Sequence, residues 1–351
     1  MLVLYVRFHE EAKANADLEK RGQEEFLKLE RGDKENRKIW EWFGKESFSE
    51  FNKIYHALGV KFDVTIGESF YEKDLAPLVR ELVRRGIAQK SDGALVLPLE
   101  SSDLPPALVQ KSDGATLYFT RELATLRARI KKYKPYAILY VVGNEQSLHF
   151  AQLFAAAKQL RWDKARMAHI KFGRVLGEDR KKLATREGKV IPLQDVLREA
   201  VDRAYRVVKE KNPSLPEREK RRVAEAVGVG ALKYNDLHEN RNSDIVFDWE
   251  RMLDFTGESG PYLQYTYARL QGILRKAKKV NMADIAELST EKDLALMRKI
   301  AEFPDALRES AETYFPNVVA RYLYALAALV NQFYETTPIL KDENAPRRGA
   351  R

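Results

Sequence analysis

The chain of 351 residues has no cysteine, which excludes disulfides and cysteine-ligated zinc and fits a reducing cytoplasm without requiring one. It has five histidines, and no His-x-x-x-His pair or carboxylate cluster stands at metal-ligand spacing, so no protein-held metal is expected. No run of about 18 apolar residues occurs, so no membrane span is expected either, and the expected location is the cytoplasm. A Gly-x-Ser-x-Gly turn is missing, which leaves a hydrolase of that type unsupported, and a Walker A loop is missing too. The opening residues, Met1 to Phe8, lack the basic region, apolar core and small-residue cleavage site of a signal peptide. They read as the interior of a fold, entered abruptly. There is no repeat of fixed period and no low-complexity tract.

What is present is apolar content and an excess of positive charge. Hydrophobic residues make up 44% of the chain, enough for real cores. Lys plus Arg number 61 against 52 Asp plus Glu, a formal net charge of +9 that suits an anionic partner such as nucleic acid. The length points to two or three domains.

Along residues 9–58, Leu18, Phe26, Leu29, Ile39, Trp42, Phe43, Phe51, Ile54, Tyr55 and Leu58 recur at helical spacing, and Gly32-Asp33 divides the run into two helices. Residues 60–66 alternate with period two and predict a strand. A third helix is expected at about 74–85, stopped by Gly86. Asp92-Gly93 and Asp113-Gly114 mark short hairpins. From about 107 the pattern becomes strand–helix alternation: a strand end at 117–119, a helix over 121–132, and an apolar run over 136–142 of the kind buried on both faces of a parallel sheet. A helix over 147–160 and a strand over 165–172 follow. The remainder reads as helices at 194–211, 216–238, 261–279, 291–302, 304–314 and 316–335, with Pro213, Pro216, Pro304 and Pro316 at their boundaries. The last residues, 341–351, read as a frayed polar end.

Chemistry-bearing residues gather in five stretches. The loop 173–193 contains Gly177, Gly188 and the cations Arg174, Arg180, Lys181, Lys182, Arg186 and Lys189. A bendable cationic loop after a sheet strand suits phosphate, although charge runs alone are most often just solvated. Tyr118 and Glu122 lie where a strand gives way to a helix, at the sheet edge where open α/β folds bind ligands. A carboxylate beside a phenol suits a cationic ligand, and the bland alternative is a helix start capped by Thr120. Gly143 to His149 offers a glycine turn, Gln146 and His149 at a helix N-terminus, where backbone N–H groups can face an anion, while His149 could equally be a core histidine. His169 lies in the following strand. In the helical part, residues 235–242 with 247–249, and Tyr262, Gln264, Tyr265 and Arg269, suit RNA contact by stacking and phosphate pairing, or equally a packing face.

Taken together, the chain resembles the arginyl-tRNA synthetases of class I. The matching pieces run in family order: Leu4-Tyr-Val-Arg-Phe-His-Glu-Glu-Ala12, Gly59-Val-Lys-Phe-Asp63, Ile66-Gly-Glu-Ser-Phe-Tyr71, Lys111-Ser-Asp-Gly-Ala-Thr-Leu-Tyr-Phe-Thr-Arg121, Tyr140-Val-Val-Gly-Asn-Glu-Gln-Ser-Leu-His149, His169-Ile-Lys-Phe-Gly173, Gly257-Glu-Ser-Gly-Pro-Tyr-Leu-Gln-Tyr265 and Asp305-Ala-Leu-Arg308. The resemblance implies the second half of a Rossmann-type parallel sheet with an α+β insertion, followed by a helical anticodon-binding bundle of the DALR type. It implies an α+β insertion module at 1–105, the half-sheet and its loop at 106–192, a helical stem-contact region at 193–255 and a truncated DALR-type domain at 256–351.

The function so implied is ATP-dependent activation of arginine and its transfer to tRNA, by a monomer, with Mg2+ entering alongside ATP. Lys182-Leu-Ala-Thr-Arg186 falls where class I enzymes carry KMSKS, so the resemblance gives Lys182 and Arg186 catalytic roles at the ATP phosphates. Tyr118, Glu122 and Gln146 match the substrate pocket, and His149 and His169 the ATP side. Tyr262, Tyr265, Arg269, Arg308, Asn331 and Tyr334 are the expected tRNA contacts. Three departures stand out: position 122 is Glu where the family has Asp, Ala184 replaces a more usual Ser or Lys, and no HIGH motif is present. The chain is therefore expected to have low activity alone. A non-catalytic RNA-binding protein derived from a synthetase is the alternative.

Overall fold

The computed structural model describes residues 2–99, 103–177, 191–277, 285–337 and 339–351. The chain divides into two compact units, Met1–Asp63 and Val64–Arg351.

The first unit is helical: α1 (Leu2–Ala14), α2 (Ala16–Glu30) and α3 (Lys34–Leu58). The Asn15 side chain accepts from the backbone N–H groups of Asp17 and Leu18, and Asp33 does the same for Glu35 and Asn36, so each of these helices starts on a side-chain cap. Gly59 closes α3 at φ +66. Two expectations change here. Helix begins at Leu2, and the described part of the opening stretch is not a buried interior, since Leu4, Tyr5 and Val6 are exposed. Asn15 adds a break that the pattern did not reveal, because one amide side chain takes two orphan donors at once. The strand predicted over 60–66 is not formed: Val60, Phe62, Val64 and Ile66 are exposed, and no strand pairs with them among the described residues. Alternation without a partner leaves a strand's N–H and C=O groups to water, so period two alone does not make one.

The second unit opens with a 3-10 turn, Glu68–Tyr71, and α4 (Glu72–Arg84), which buries Leu75, Leu78, Val79 and Leu82 along one stripe. Gly86 lies just beyond it at φ +67. β1 (Gln89–Ser91) and β2 (Ala94–Leu97) form the hairpin foreseen at Asp92-Gly93, both with positive φ, and β3 (Ala107–Gln110) adds to β2 antiparallel. The turn at Asp113-Gly114 yields only one isolated pairing, Gln110 with Thr116.

α5 (Tyr118–Tyr133) starts three residues earlier than expected, so Tyr118 belongs to the helix and Leu117 precedes it. Thr120 does not cap it. It is fully buried, and its hydroxyl donates to the Val109 carbonyl, tying α5 to β3.

β4 (Ala137–Gly143), α6 (Ser147–Gln159) and β5 (Arg166–Phe172) complete the α/β half-sheet, with β4 and β5 parallel from Ala137–Arg166 through Gly143–Phe172. Leu123, Leu126, Phe150 and Leu153 form its core with Leu78, Leu82, Leu97 and Val109. The apolar run of β4 is not buried on both faces. Ile138, Tyr140 and Val142 turn to the core, whereas Leu139 is 45% and Val141 67% exposed. The run was uniformly apolar, and only the tertiary environment separates its two faces.

β6 (Val175–Leu176) pairs in parallel with β7 (Ile245–Val246). Between them in sequence lie α7 (Leu193–Lys211) and α8 (Glu217–His238), packed so closely that a Cβ on Gly228 would meet the Ala200 carbonyl at 2.8 Å. α9 (Trp249–Met252), a short helix that the sequence pattern did not predict, is followed by α10 (Gly260–Lys276), α11 (Glu291–Ala301), α12 (Phe303–Thr313) and α13 (Asn317–Thr336), close to the expected spans. The final residues are not frayed. They form α14 (Ala345–Ala350), held by Arg347 and Arg351 on the carboxylates of Asp342 and Asp293.

Gly173 joins β5 to the segment before β7: its N–H donates to the Arg241 carbonyl at 2.8 Å, and an added Cβ would lie 2.2 Å from the Ser243 carbonyl oxygen. Gly173→Ala is therefore expected to cost about 2 kcal/mol of stability, read as a lower midpoint in thermal unfolding.

Candidate functional site

The carboxyl ends of β4 and β5 face the first turns of α5 and α6, and four predicted residues meet there. Tyr118 and Glu122 are one helical turn apart on α5 and so share a face. The Tyr118 ring lies 4.7 Å from the ring of His149, in the first turn of α6. His169 rises from β5, its Nε2 2.9 Å from the Val142 carbonyl oxygen and its ring 4.6 Å from Phe150. Phe150 also touches His149, at 5.1 Å, so one buried phenylalanine seats both imidazoles. His149 Nε2 is buried without a hydrogen-bond partner among the described residues. Burial, reinforced by the neighbouring His169, lowers its pKa below the usual imidazole value and favours the neutral ring.

The Glu122 side chain is 12% exposed and contacts one guanidinium, Arg129 Nη1 at 3.3 Å, two turns further along α5. Tyr140 comes up from β4, with the Arg129 guanidinium 5.6 Å from its ring centre and its hydroxyl buried without a partner of good geometry. Burial raises the Glu122 pKa, Arg129 opposes that, and the charge of Glu68 adds to it. The Tyr140 phenol is pushed up to about 12, by burial first and by Glu122 second. Burial also raises Tyr118, followed by Glu122 and Glu68. The surroundings of Glu122 are thus poorly hydrated and only partly neutralised by Arg129, an environment in which a carboxylate gains most from a cation held in bidentate geometry. Sequence reading missed Arg129, Tyr140 and Glu68. Arg129 was findable, since seven residues from Glu122 on a helix is two turns on one face.

Gln146 stands differently. It ends the short turn before α6, is exposed, and makes no side-chain hydrogen bond among the described residues. Its neighbour Asn144 reaches the Asn242 carbonyl at 3.3 Å. Lys182 and Arg186 lie outside the described residues. Within the stretch 235–242, Arg241 is a joint: it donates to the carbonyls of Tyr314 and Lys171 at 2.8 and 2.7 Å and lies over the Phe315 ring. Among the described residues no group of three His, Cys, Asp or Glu is arranged to hold a metal ion, and no helix is long and apolar enough to cross a membrane.

A second constellation sits between α10 and α13. The Arg269 guanidinium lies between the rings of Tyr265 and Tyr334, 4.8 Å from each centre, and donates to Asn331 Oδ1 at 2.9 Å. Asn331 is buried and donates in turn to Thr266 Oγ1 at 2.7 Å, while Thr266 donates to the Tyr262 carbonyl. Tyr262 packs on Tyr324 at 5.5 Å. Five of the six residues expected on the RNA side therefore form one connected cluster, with Tyr265 and Tyr334 exposed at its surface. Arg308 does not join it and pairs with Asp305 on its own helix. The close seating of α10 on α8 requires Gly260, whose added Cβ would meet the Gly230 carbonyl at 2.7 Å.

The chain as a whole is similar to known proteins. Residues 1–249 match the family described as tRNA synthetases class I (R), catalytic domain, and residues 263–351 match the DALR anticodon binding domain. An arginine–tRNA ligase of Lactococcus lactis subsp. cremoris is 43% identical over 346 residues, covering 98% of this chain and 61% of the relative. One from Halothermothrix orenii is 39% identical over 349 residues, again 61% of the relative. The chain thus spans about three-fifths of the curated relatives' length. The crystal structure of arginyl-tRNA synthetase from Plasmodium falciparum superposes with a TM-score of 0.81 at 26% identity, over 95% of this chain and 58% of that one. The Thermus thermophilus arginyl-tRNA synthetase gives 0.80 at 26%, over 98% and 64%. With the catalytic-domain match covering 249 consecutive residues and the DALR match following it in order, the chain belongs to the class I arginyl-tRNA synthetase family.

Proposed function

We propose that the chain carries the arginine-recognising and tRNA-binding parts of an arginine–tRNA ligase, which activates arginine with ATP and transfers it to tRNA. The observation that carries this reading is the buried Glu122 carboxylate beside Tyr118, whose pKa burial raises although Arg129 stands 3.3 Å away, so that a second, bidentate cation would stabilise its charge. Glu122 holds the substrate guanidinium, Tyr118 and Tyr140 exclude water around it, and Gln146 meets the substrate at the pocket mouth. His149, kept neutral, and His169 border the nucleotide. Lys182 and Arg186 neutralise the phosphates of ATP, which brings its own Mg2+, as arginine's carboxylate attacks the α-phosphate. Such chemistry rests on positioning and electrostatics rather than on covalent participation by the protein.

The segments 106–192, 193–255 and 256–351 serve as half-sheet with phosphate loop, stem contact and anticodon-binding bundle, and 1–105 as the insertion module. The exposed rings of Tyr265 and Tyr334, held by Arg269 and Asn331, offer stacking surfaces for tRNA. The molecule works as a cytoplasmic monomer. Because the sequence holds no HIGH motif, ATP–pyrophosphate exchange by the chain alone is expected to be weak even with arginine and tRNA present.

Equilibrium dialysis with radiolabelled L-arginine against L-lysine tests the pocket. Saturable arginine binding with lysine at least tenfold weaker is expected, since only the planar guanidinium presents paired donors to Glu122. Equal uptake of the two amino acids, or of neither, would sink the reading.

A further inference from the structure

A groove of 610 Å³ runs between the 3-10 turn at 68–71 and the second half of α5, in the size range of ligand pockets. Its floor is Tyr71 and Ala124, and two exposed rings, Phe70 and Tyr133, stand at its edges. Lys131 and Lys132 line it, and Lys73 sits over the Phe70 ring at 5.9 Å. None of these three lysines has a carboxylate partner among the described residues, whereas the nearby Arg127 is engaged by Glu81 at 3.0 Å. The groove is separate from the Glu122 pocket. Lys131 lies nine residues further along α5, about 13 Å along the axis and on the opposite face.

We propose that this groove holds an unpaired nucleotide of a single-stranded RNA segment, its base against Phe70 and Tyr133 and its flanking phosphates on Lys131 and Lys132. Lysines in the last turn of α5 also complement the helix dipole, which accounts for their charge. It does not account for the two large rings beside them, which stay about half exposed although Lys73 lies over Phe70 and Lys132 over Tyr133 at 5.0 Å, a combination that suits base stacking with backbone neutralisation. Asp74, on the α4 side, repels phosphate and directs the backbone toward α5. A single strand is favoured over a duplex because the rings can be reached only by a base that is free of its stack. The inference does not depend on arginine recognition.

The test is fluorescence anisotropy of a labelled, unstructured RNA decamer with the whole chain over a potassium chloride series. Phe70→Ala is expected to weaken binding about 5- to 150-fold, the usual range for losing one stacked base, and Phe70→Trp to retain it. Lys131→Ala with Lys132→Ala is expected to flatten the salt slope by about 1.4, or 0.7 for each phosphate contact on a single strand. All these side chains are exposed, so circular dichroism and arginine uptake should match the parent. An unchanged slope and affinity in these variants would overturn the proposal. So would competition by polyglutamate as effective as by unlabelled RNA, which would reduce the groove to plain charge attraction.

Discussion

Glu122→Gln is expected to weaken arginine binding by about 30-fold or more, because removing one member of a desolvated ion pair costs about 2–5 kcal/mol. The amide keeps the size and one acceptor of the carboxylate, so packing around Tyr118 and Tyr140 survives and the loss reports charge. Glu122→Asp distinguishes charge from reach. Glu122 touches Arg129 at a long 3.3 Å, and a shorter arm draws away from that internal guanidinium rather than toward it. The Asp variant is therefore expected to stay within about tenfold of the parent. Calorimetric titration with L-arginine measures both. A Gln variant that binds as well as the parent would remove Glu122 from the pocket.

The same carboxyl fixes a pH dependence. Burial, helped by Glu68 and opposed by Arg129, leaves its folded-state pKa above the usual carboxylate value of 4.5. A proton is thus held more tightly in the folded than in the unfolded chain. The stability Glu122 contributes is full below 4.5 and is lost as pH rises through the raised value. A bound guanidinium offsets that loss only when the carboxylate is ionised. Arginine should accordingly raise the thermal midpoint at pH 8 and much less at pH 5, with the difference abolished in Glu122→Gln.

Much of this architecture is legible locally. Pro216, Pro304 and Pro316 and the glycine at 86 set helix ends that the structure keeps within about two residues, and Asp92-Gly93 dictates its hairpin through positive φ. Tyr118 and Glu122 are readable as one face because four residues on a helix always are. What stays hidden depends on partners far away in sequence. Thr120 has the look of a cap until the Val109 carbonyl takes its hydroxyl. Residues 60–66 have the look of a strand, but no neighbour supplies a ladder. Arg269 resembles a free RNA contact, yet its guanidinium is already stacked and bonded to Asn331, 62 residues on. Polar composition at 341–351 suggests fraying, since nothing local shows where its arginines go.

Those arginines carry the last expectation. Arg351 grips Asp293 through two bonds, 2.9 and 3.1 Å, and Asp342 through a third at 2.8 Å, while Arg347 holds Asp342 at 2.7 and 2.9 Å. The side chains of Arg351, Asp293 and Asp342 are 6%, 1% and 4% exposed, and the Arg351 guanidinium also lies over Phe333 of α13. Asp293 further closes the capping box of α11 with Thr290. Asp293→Ala takes two of the three bonds from the buried Arg351 guanidinium and opens the capping box of α11, so it should cost roughly 3 kcal/mol. Arg351→Met, which strands the Asp293 carboxylate and leaves Asp342 to Arg347 alone, should cost a similar amount. The Arg347 hydrogen bonds hold the Asp342 carboxyl down at about 2. At Asp293 burial opposes ionisation, but the Arg351 and Thr290 hydrogen bonds outweigh it and lower that pKa as well. Both acids give up protons more readily folded than unfolded. Their contribution is therefore present above the unfolded value of 3.8 and is lost as pH falls below it. Urea unfolding followed by circular dichroism at pH 7 and pH 3 should show the parent losing stability on acidification and Arg351→Met losing less, by the Asp293 share, since Arg347 still holds Asp342. Equal acid sensitivity in the two would mean that the clasp holds nothing together.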